Sequence, residues 1–214
     1  MEDVIIRPYR PQDRGAVRDI AWQTAFMGES GDIFFQGKEI LADFLTLYFT
    51  DHEPQSCFVA ESSGEIIGYL TGARDVRVLR KVFHSHLLRA LCVRAFTQGV
   101  LFNKKNLVFS FYCLRSLLKG EFKEPDFSKE YPATLHINLK KDFRNTGTGA
   151  RLIAAYLEYL KRHKVTGVHF GSISAIGASF FKKSGFEVLH QSTRSYFSYI
   201  LHKSLPVYIF GKHI

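Results

Sequence analysis

The chain has 214 residues, 46% of them hydrophobic, and a formal net charge of +9. That length holds one sizeable core, and the longest apolar run, Asn106 to Leu114, is far short of the roughly 20 residues that span a bilayer. Cys57, Cys92 and Cys113 are odd in number and form no C-x-x-C pair, which argues against a disulfide framework or a zinc site and points to a reduced, cytoplasmic setting.

The acidic start, Met1-Glu2-Asp3, leads straight into alternating apolar residues, so neither a secretory signal nor a transit peptide is expected. Residues 3–13 predict a short strand ending at Pro8 and Pro11, and the helix after it has Val17, Ile20, Ala21 and Phe26 near helical spacing. A second helix is predicted within residues 37–49, where Ile40, Leu41, Phe44, Leu45 and Tyr48 recur every three or four positions. Residues 57–73 read as two strands around Ser63-Gly64, a turn short enough to make them antiparallel neighbours.

From Arg74 to Lys119, long apolar and basic runs predict two or three helices. Ten Lys and Arg residues stand there against Asp75 alone, so this segment carries the whole positive excess of the chain and sets up a local field. A polar linker precedes a strand at 133–139. The turn "RNTGTGA" (144–150) then opens a helix with Ile153, Leu157 and Leu160 as its apolar stripe and Lys161, Arg162, His163 and Lys164 at its C-terminal end, where cations offset the helix dipole. A strand at 167–172, a short helix at 174–183 stopped by Ser184-Gly185, and strands at 186–191 and 206–214 complete the chain, with no internal repeat.

The glycine turn lacks the third glycine of a dinucleotide fingerprint and the Lys-Ser/Thr pair of a P-loop. Lying between a strand and a helix, it resembles instead the R/Q-x-x-G-x-G/A motif of the GNAT acetyltransferase superfamily. "SAIGASFFKKSGF" (174–186) is similar to the same superfamily's N-x-x-A-x-x-L-Y-x-K-x-G-F, and the order of elements agrees outside the basic segment. "YPATLHINL" further resembles bacterial acetyltransferases related to the acetyltransferase-like domain attached to some O-GlcNAc hydrolases. The resemblance implies an α/β GNAT acyl-CoA N-acyltransferase fold over one domain, 1–214. A mixed central sheet would be flanked by helices, with a basic helical insertion at about 74–120 after the third strand. It implies an acetyl-CoA-dependent N-acetyltransferase in which a small-molecule or peptide amine attacks the thioester directly in a ternary complex, with acetyl-CoA as co-substrate and no metal.

Carried over residue by residue, the resemblance puts the coenzyme pyrophosphate on the backbone of Arg144, Asn145, Thr146, Gly147, Thr148, Gly149 and Ala150. Unpaired N–H groups and a helix N-terminus favour an anion there. The strand residues Ile137, Asn138 and Leu139 would supply an N–H to the acetyl oxygen, and Ser174 stands where the motif has Asn. Phe181, or Phe180 with a one-residue slip, stands where relatives have the tyrosine that protonates the leaving thiolate. A thiol with a pKa near 8.5 can depart largely unprotonated at neutral pH, and Tyr196 or Tyr199 is the candidate substitute acid, unless both only pack. Strand parity puts His136 and Asn138 on one face, and an imidazole titrating near 6.5 suits a general base as well as it suits a hydrogen-bonded core position. Glu61, Glu65 and Asp142 are weaker rivals, and His84 and His86 are too poorly spaced on a helix to share a metal. The basic segment reads either as a docking site for an acidic or phosphate-bearing partner, a membrane surface or nucleic acid, or as packed apolar residues under solvated cations. The missing tyrosine keeps open an acyl-CoA-binding module with little turnover, and the sequence is compatible with a homodimer.

Overall fold

Pro8 closes strand β1 (Ile5–Pro8), an edge strand where a missing N–H does little harm, and Pro11 opens a short turn into helix α1 (Arg14–Gln23). The computed structural model describes residues 3–214. Helix α2 (Lys38–Leu47) follows, then the hairpin of β2 (Phe58–Ser62) and β3 (Glu65–Ala73). The turn residues Ser63 and Gly64 have φ of 50° and 81°, the left-handed pair that matches a tight turn to strand twist. The basic segment forms three helices, α3 (Val76–Val82), α4 (Leu88–Thr97) and α5 (Lys104–Leu118), inserted after the third strand as expected.

Beyond it come β4 (Thr134–Leu139), α6 (Thr148–Arg162), β5 (Gly167–Ser172), α7 (Ala175–Lys183), β6 (Glu187–Arg194), α8 (Ser198–Leu201) and β7 (Leu205–His213). The four-residue α8 is too short to leave a period in the sequence, and β6 extends to Arg194, beyond the apolar residues that signalled it.

The strands form two antiparallel sheets, ordered β1-β2-β3-β4 and β5-β7-β6. They meet at a single parallel bridge between Ala133 and Val168, where the Ala133 N–H donates to Gly167 O at 3.0 Å and its carbonyl accepts from the His169 N–H at 2.9 Å. The mixed sheet is therefore two antiparallel halves joined at one point, and β4 and β5 share no further ladder among the described residues.

One face of the first sheet is covered by α6, whose Leu152, Ile153, Tyr156, Tyr159 and Leu160 pack with Phe58, Ala60, Leu70 and Leu135. Leu157, which the spacing put in the stripe, lies at its half-buried flank. Gly72 carries no side chain because the Tyr156 ring occupies that space, from which the Tyr156 hydroxyl reaches the carbonyls of Ala73 and Thr134 at 3.1 and 2.8 Å. The opposite face meets α1 through Val17, Ile20 and Ala21, packed with Val59 and Tyr69. Each such fully buried side chain contributes about 1.5–3 kcal/mol.

The insertion is tied down by polar contacts. Asn106, buried at the start of α5, accepts the Gln36 N–H at 2.7 Å and donates to the carbonyls of Gln36 and Val100 at 2.6 and 2.7 Å. Arg94 reaches the buried Asp43 of α2, which also pairs with Arg18. Six of the ten cations thus find a carboxylate: Arg74, Arg77, Arg80, Arg94, Lys105 and Lys119.

Candidate coenzyme and acceptor site

Because successive residues of a strand turn their N–H and C=O to opposite sides, the bridge at Ala133 fixes the rest of β4. Leu135, Ile137 and Leu139 aim their backbone groups towards β5, while His136 and Asn138 aim theirs at β3, to which they are registered opposite Thr71 and Tyr69. Since β5 has parted from β4 beyond the bridge, the N–H groups of Leu135 and Ile137 line an open strand edge. This narrows the expectation for 137–139: Ile137 and Leu139 face the gap, whereas the Asn138 backbone belongs to the sheet.

The glycine turn lies at the end of that edge. Asn145 has φ of 63° and Gly147 of 84°, and Gly147 caps α6 without a side chain. Asparagine tolerates the left-handed region better than other side-chain-bearing residues. Among the described residues, none of the six consecutive backbone N–H groups from Asn145 to Ala150 has an acceptor in the protein; the next, that of Arg151, donates to Gly147 O at 3.1 Å. Such a run of free donors, with a fifteen-residue helix behind it, is a nest for an anion.

The two glycines differ in purpose. A Cβ on Gly147 would meet nothing, whereas one on Gly149 would lie 3.1 Å from the Phe180 ring and 3.5 Å from Leu139. Thr146 and Thr148 brace the turn, their hydroxyls 2.8 Å apart, with Thr146 also donating to Phe143 O at 2.8 Å. The Arg144 guanidinium donates to the carbonyls of Leu139 at 3.2 Å and Gly28 at 2.7 Å, fastening the turn to β4 and to the loop after α1.

His136 and Asn138 share one face, as parity required, and converge on Tyr69, which the sequence reading did not single out. The Asn138 amide donates to the Tyr69 oxygen at 3.0 Å, and the Tyr69 hydroxyl lies 3.3 Å from His136 Nδ1. His136 is thereby tied into a polar group with Tyr69 and Asn138, its Nδ1 facing the Tyr69 hydroxyl and its Nε2 lying 3.3 Å from the Asn138 amide nitrogen. Burial pushes the imidazole down to about 4 and the Tyr69 phenol up. Both ring nitrogens of the residue expected to act as general base therefore face polar neighbours, and burial disfavours its charged form.

Helix α7 turns its two phenylalanines in different directions. Phe181 does not line the gap; it is 7% exposed, with ring centroids 4.6 Å from Phe170 and 5.4 Å from Phe210 in the core. Phe180 is the residue that faces Gly149 and Leu139. Phe181→Tyr is accordingly expected to lose about 1–3 kcal/mol in denaturant unfolding, its hydroxyl buried without a partner, and to leave single-turnover rates no faster. A faster rate would return position 181 to the reacting atoms. Ser174 is the N-cap of α7, accepting the Gly177 N–H at 3.1 Å, which leaves its own hydroxyl proton to donate.

Tyr196 belongs to a separate aromatic cluster with Phe26, Phe34, Phe109 and Phe197, which Ile173 links to the end of β5. Its ring stacks on Phe122 at 5.9 Å, and burial pushes its phenol up to about 12. The Tyr199 hydroxyl is buried there with no partner. No hydrogen bond or ring contact joins Tyr196 to His136 or to the glycine turn among the described residues. No group of three His, Cys, Asp or Glu side chains suited to a metal occurs among them either.

Two antiparallel sheets parting beside a helix-capping glycine turn define the fold of the GNAT acetyltransferases, and this chain adopts that fold. Over 99% of its length it superposes on 98% of SsHAT with a TM-score of 0.74 and 24% identity. The polyamine N-acetyltransferase of Drosophila melanogaster, an enzyme that catalyses formation of N-acetylagmatine, matches 99% of this chain with all of its own at a TM-score of 0.63 and 14% identity. The yncA structure from Salmonella typhimurium, which contains its cofactor acetyl-CoA, matches 98% of this chain with 93% of its own at 0.59 and 13%. No protein-family model matches the sequence, and no curated protein matches it.

Proposed function

We propose that the chain is an acetyl-CoA-dependent N-acetyltransferase that moves an acetyl group to a primary amine by direct attack in a ternary complex. The observation that carries this reading is the run of six free N–H groups at Asn145–Ala150, at the mouth of the gap between β4 and β5. The donor set is purely N–H at a dipole's positive end, which fits a pyrophosphate and leaves no carboxylate to repel it. The open edge of β4, through the N–H groups of Leu135 and Ile137, would hold the coenzyme's pantetheine arm, whose thioester would supply the activated acetyl group.

The remaining work falls to the chain's own residues. The Ile137 N–H, preorganised by the β3 ladder on the other side of β4, points to where negative charge grows on the acetyl oxygen. His136 and Asn138 lie on the face opposite α6, where the loop after α1 and the aromatic cluster form the acceptor side. The amine enters already deprotonated, and the further proton that its nitrogen loses on acylation passes to solvent as the thiolate leaves. Phe180 supplies no proton to the thiolate, which departs unaided because a thiol of ordinary pKa near 8.5 is a fair leaving group at neutral pH. The Drosophila match favours small alkyl amines as the acceptor class.

Thiol release from acetyl-CoA tests the reading, with agmatine, polyamines, amino sugars and peptides each offered in turn. Amine-dependent release by at least one of them is expected. Tight coenzyme binding without release for every amine would instead assign the chain as an acyl-CoA-binding module.

A further inference from the structure

A surface helix normally turns its apolar side inward and its polar side out. Helix α5 has apolar residues on both sides. Its inner side carries Asn106, Phe109, Tyr112 and Ser116 against the rest of the molecule, while Leu107, Phe111, Leu114 and Leu118, spaced by four, three and four, form a stripe along its outer side. Phe111 is 62% and Leu118 79% exposed, and Leu117 widens the stripe to more than 100° of the helix circumference. Lys104, Arg115 and Lys119, eleven and four residues apart, run along one edge of it. Phe111, Leu114, Arg115, Leu118 and Lys119 together line a shallow groove.

We propose that this outer face of α5 docks on an anionic phospholipid surface, the apolar stripe entering the headgroup boundary and the cationic edge lying along the phosphates. Charge selects this occupant. Not one carboxylate occurs between Val76 and Gly120, and Lys104 and Arg115 have no acidic partner among the described residues, so apart from Lys119, which pairs with Glu121, the cations of this edge are uncompensated. A second copy docked through the same face would bring cationic edges together with nothing to neutralise them. No helix among the described residues is long and apolar enough to cross a membrane, and the geometry is that of a helix lying in the interface plane.

Flotation of the full chain with vesicles tests this, comparing phosphatidylcholine alone with an equal mixture of phosphatidylcholine and phosphatidylglycerol. The protein should float with the mixed vesicles, far less with the neutral ones, and come off as salt rises. Lys104→Glu with Arg115→Glu should weaken vesicle affinity by roughly tenfold or more. Phe111→Gln with Leu118→Gln should abolish flotation; all four residues are on the surface, so both variants should keep the wild-type circular dichroism and melting. Absence of flotation with mixed vesicles, or binding that ignores both double variants, would overturn the proposal. So would a sedimentation dimer dispersed by Phe111→Gln with Leu118→Gln, or salt-sensitive binding to duplex DNA or an acidic protein in place of vesicles.

Discussion

Gly147→Asp is expected to leave a folded protein that no longer binds acetyl-CoA. Position 147 has open space where a Cβ would project, so no neighbour has to move. Its φ of 84° makes any side chain strained, at about 1–2 kcal/mol, and aspartate is among the residues that bear this best. The carboxylate would sit among the free N–H groups of Asn145–Ala150 and take the place of the phosphate by both charge and hydrogen bonding. Affinity for acetyl-CoA measured by calorimetry should fall by about 10²-fold or more, with unfolding cooperative throughout. Position 149 is less informative, because a side chain there would push on Phe180 and Leu139 and confuse packing with binding. Wild-type affinity in folded Gly147→Asp would sink the assignment of the turn.

The second large effect is in the pH profile. If no side chain acts as a base near neutrality, kcat/KM should climb about tenfold per pH unit from pH 6 to 8, as the free-amine fraction of an acceptor with a pKa near 10 grows, with no inflection near 6.5. His136→Gln should stay within about tenfold of wild type; a loss of 10²-fold or more with removal of an inflection would restore His136 as the base. Stability has its own signature. Between pH 6.5 and about 4 the unfolded chain takes up a proton at His136 that the folded chain refuses, so unfolding free energy falls as pH is lowered through that window and levels off below it. The size is on the order of 3 kcal/mol for a shift of this extent, and His169, also held down by burial, adds to it with the same sign. His136→Gln should flatten the slope, and an unchanged slope would place the acid sensitivity elsewhere.

The residues that could be read in advance were those whose roles are local. Ser63-Gly64, Pro8 and Ser184-Gly185 act through their own backbone angles, and the strand-turn-helix order around Gly147 is set within a dozen residues, so pattern alone identified them. What escaped was set across the sheet. Tyr69 stands opposite Asn138 only through the register of β3 on β4, and that pairing is what ties His136 into a polar group with both. Phe180 and Phe181 are adjacent in sequence and equal in composition; whether one or the other enters the core is decided by Phe170 and Phe210 on β5 and β7. Arg144 belongs to the motif by spacing, but the carbonyl of Gly28, 116 residues away, claims its side chain.

The clasp of Asn106 on Gln36 bears on how such a domain can be cut and recombined. An appendage that hangs from a fold by its two covalent ends can be trimmed to a short linker without loss. The helices between Ala73 and the linker before β4 are not attached in that way: Asn106 satisfies both backbone groups of Gln36, Arg94 neutralises Asp43 in the interior, and Phe109 packs within the aromatic cluster of the acceptor side. Removing them would orphan the amide and carbonyl of Gln36 at once, leave Asp43 to Arg18 and Arg14, and uncover rings that are now largely buried. In terms of modularity, the loop after α1 and the three helices form one packing unit, which can be excised only together with the contacts that Gln36 makes.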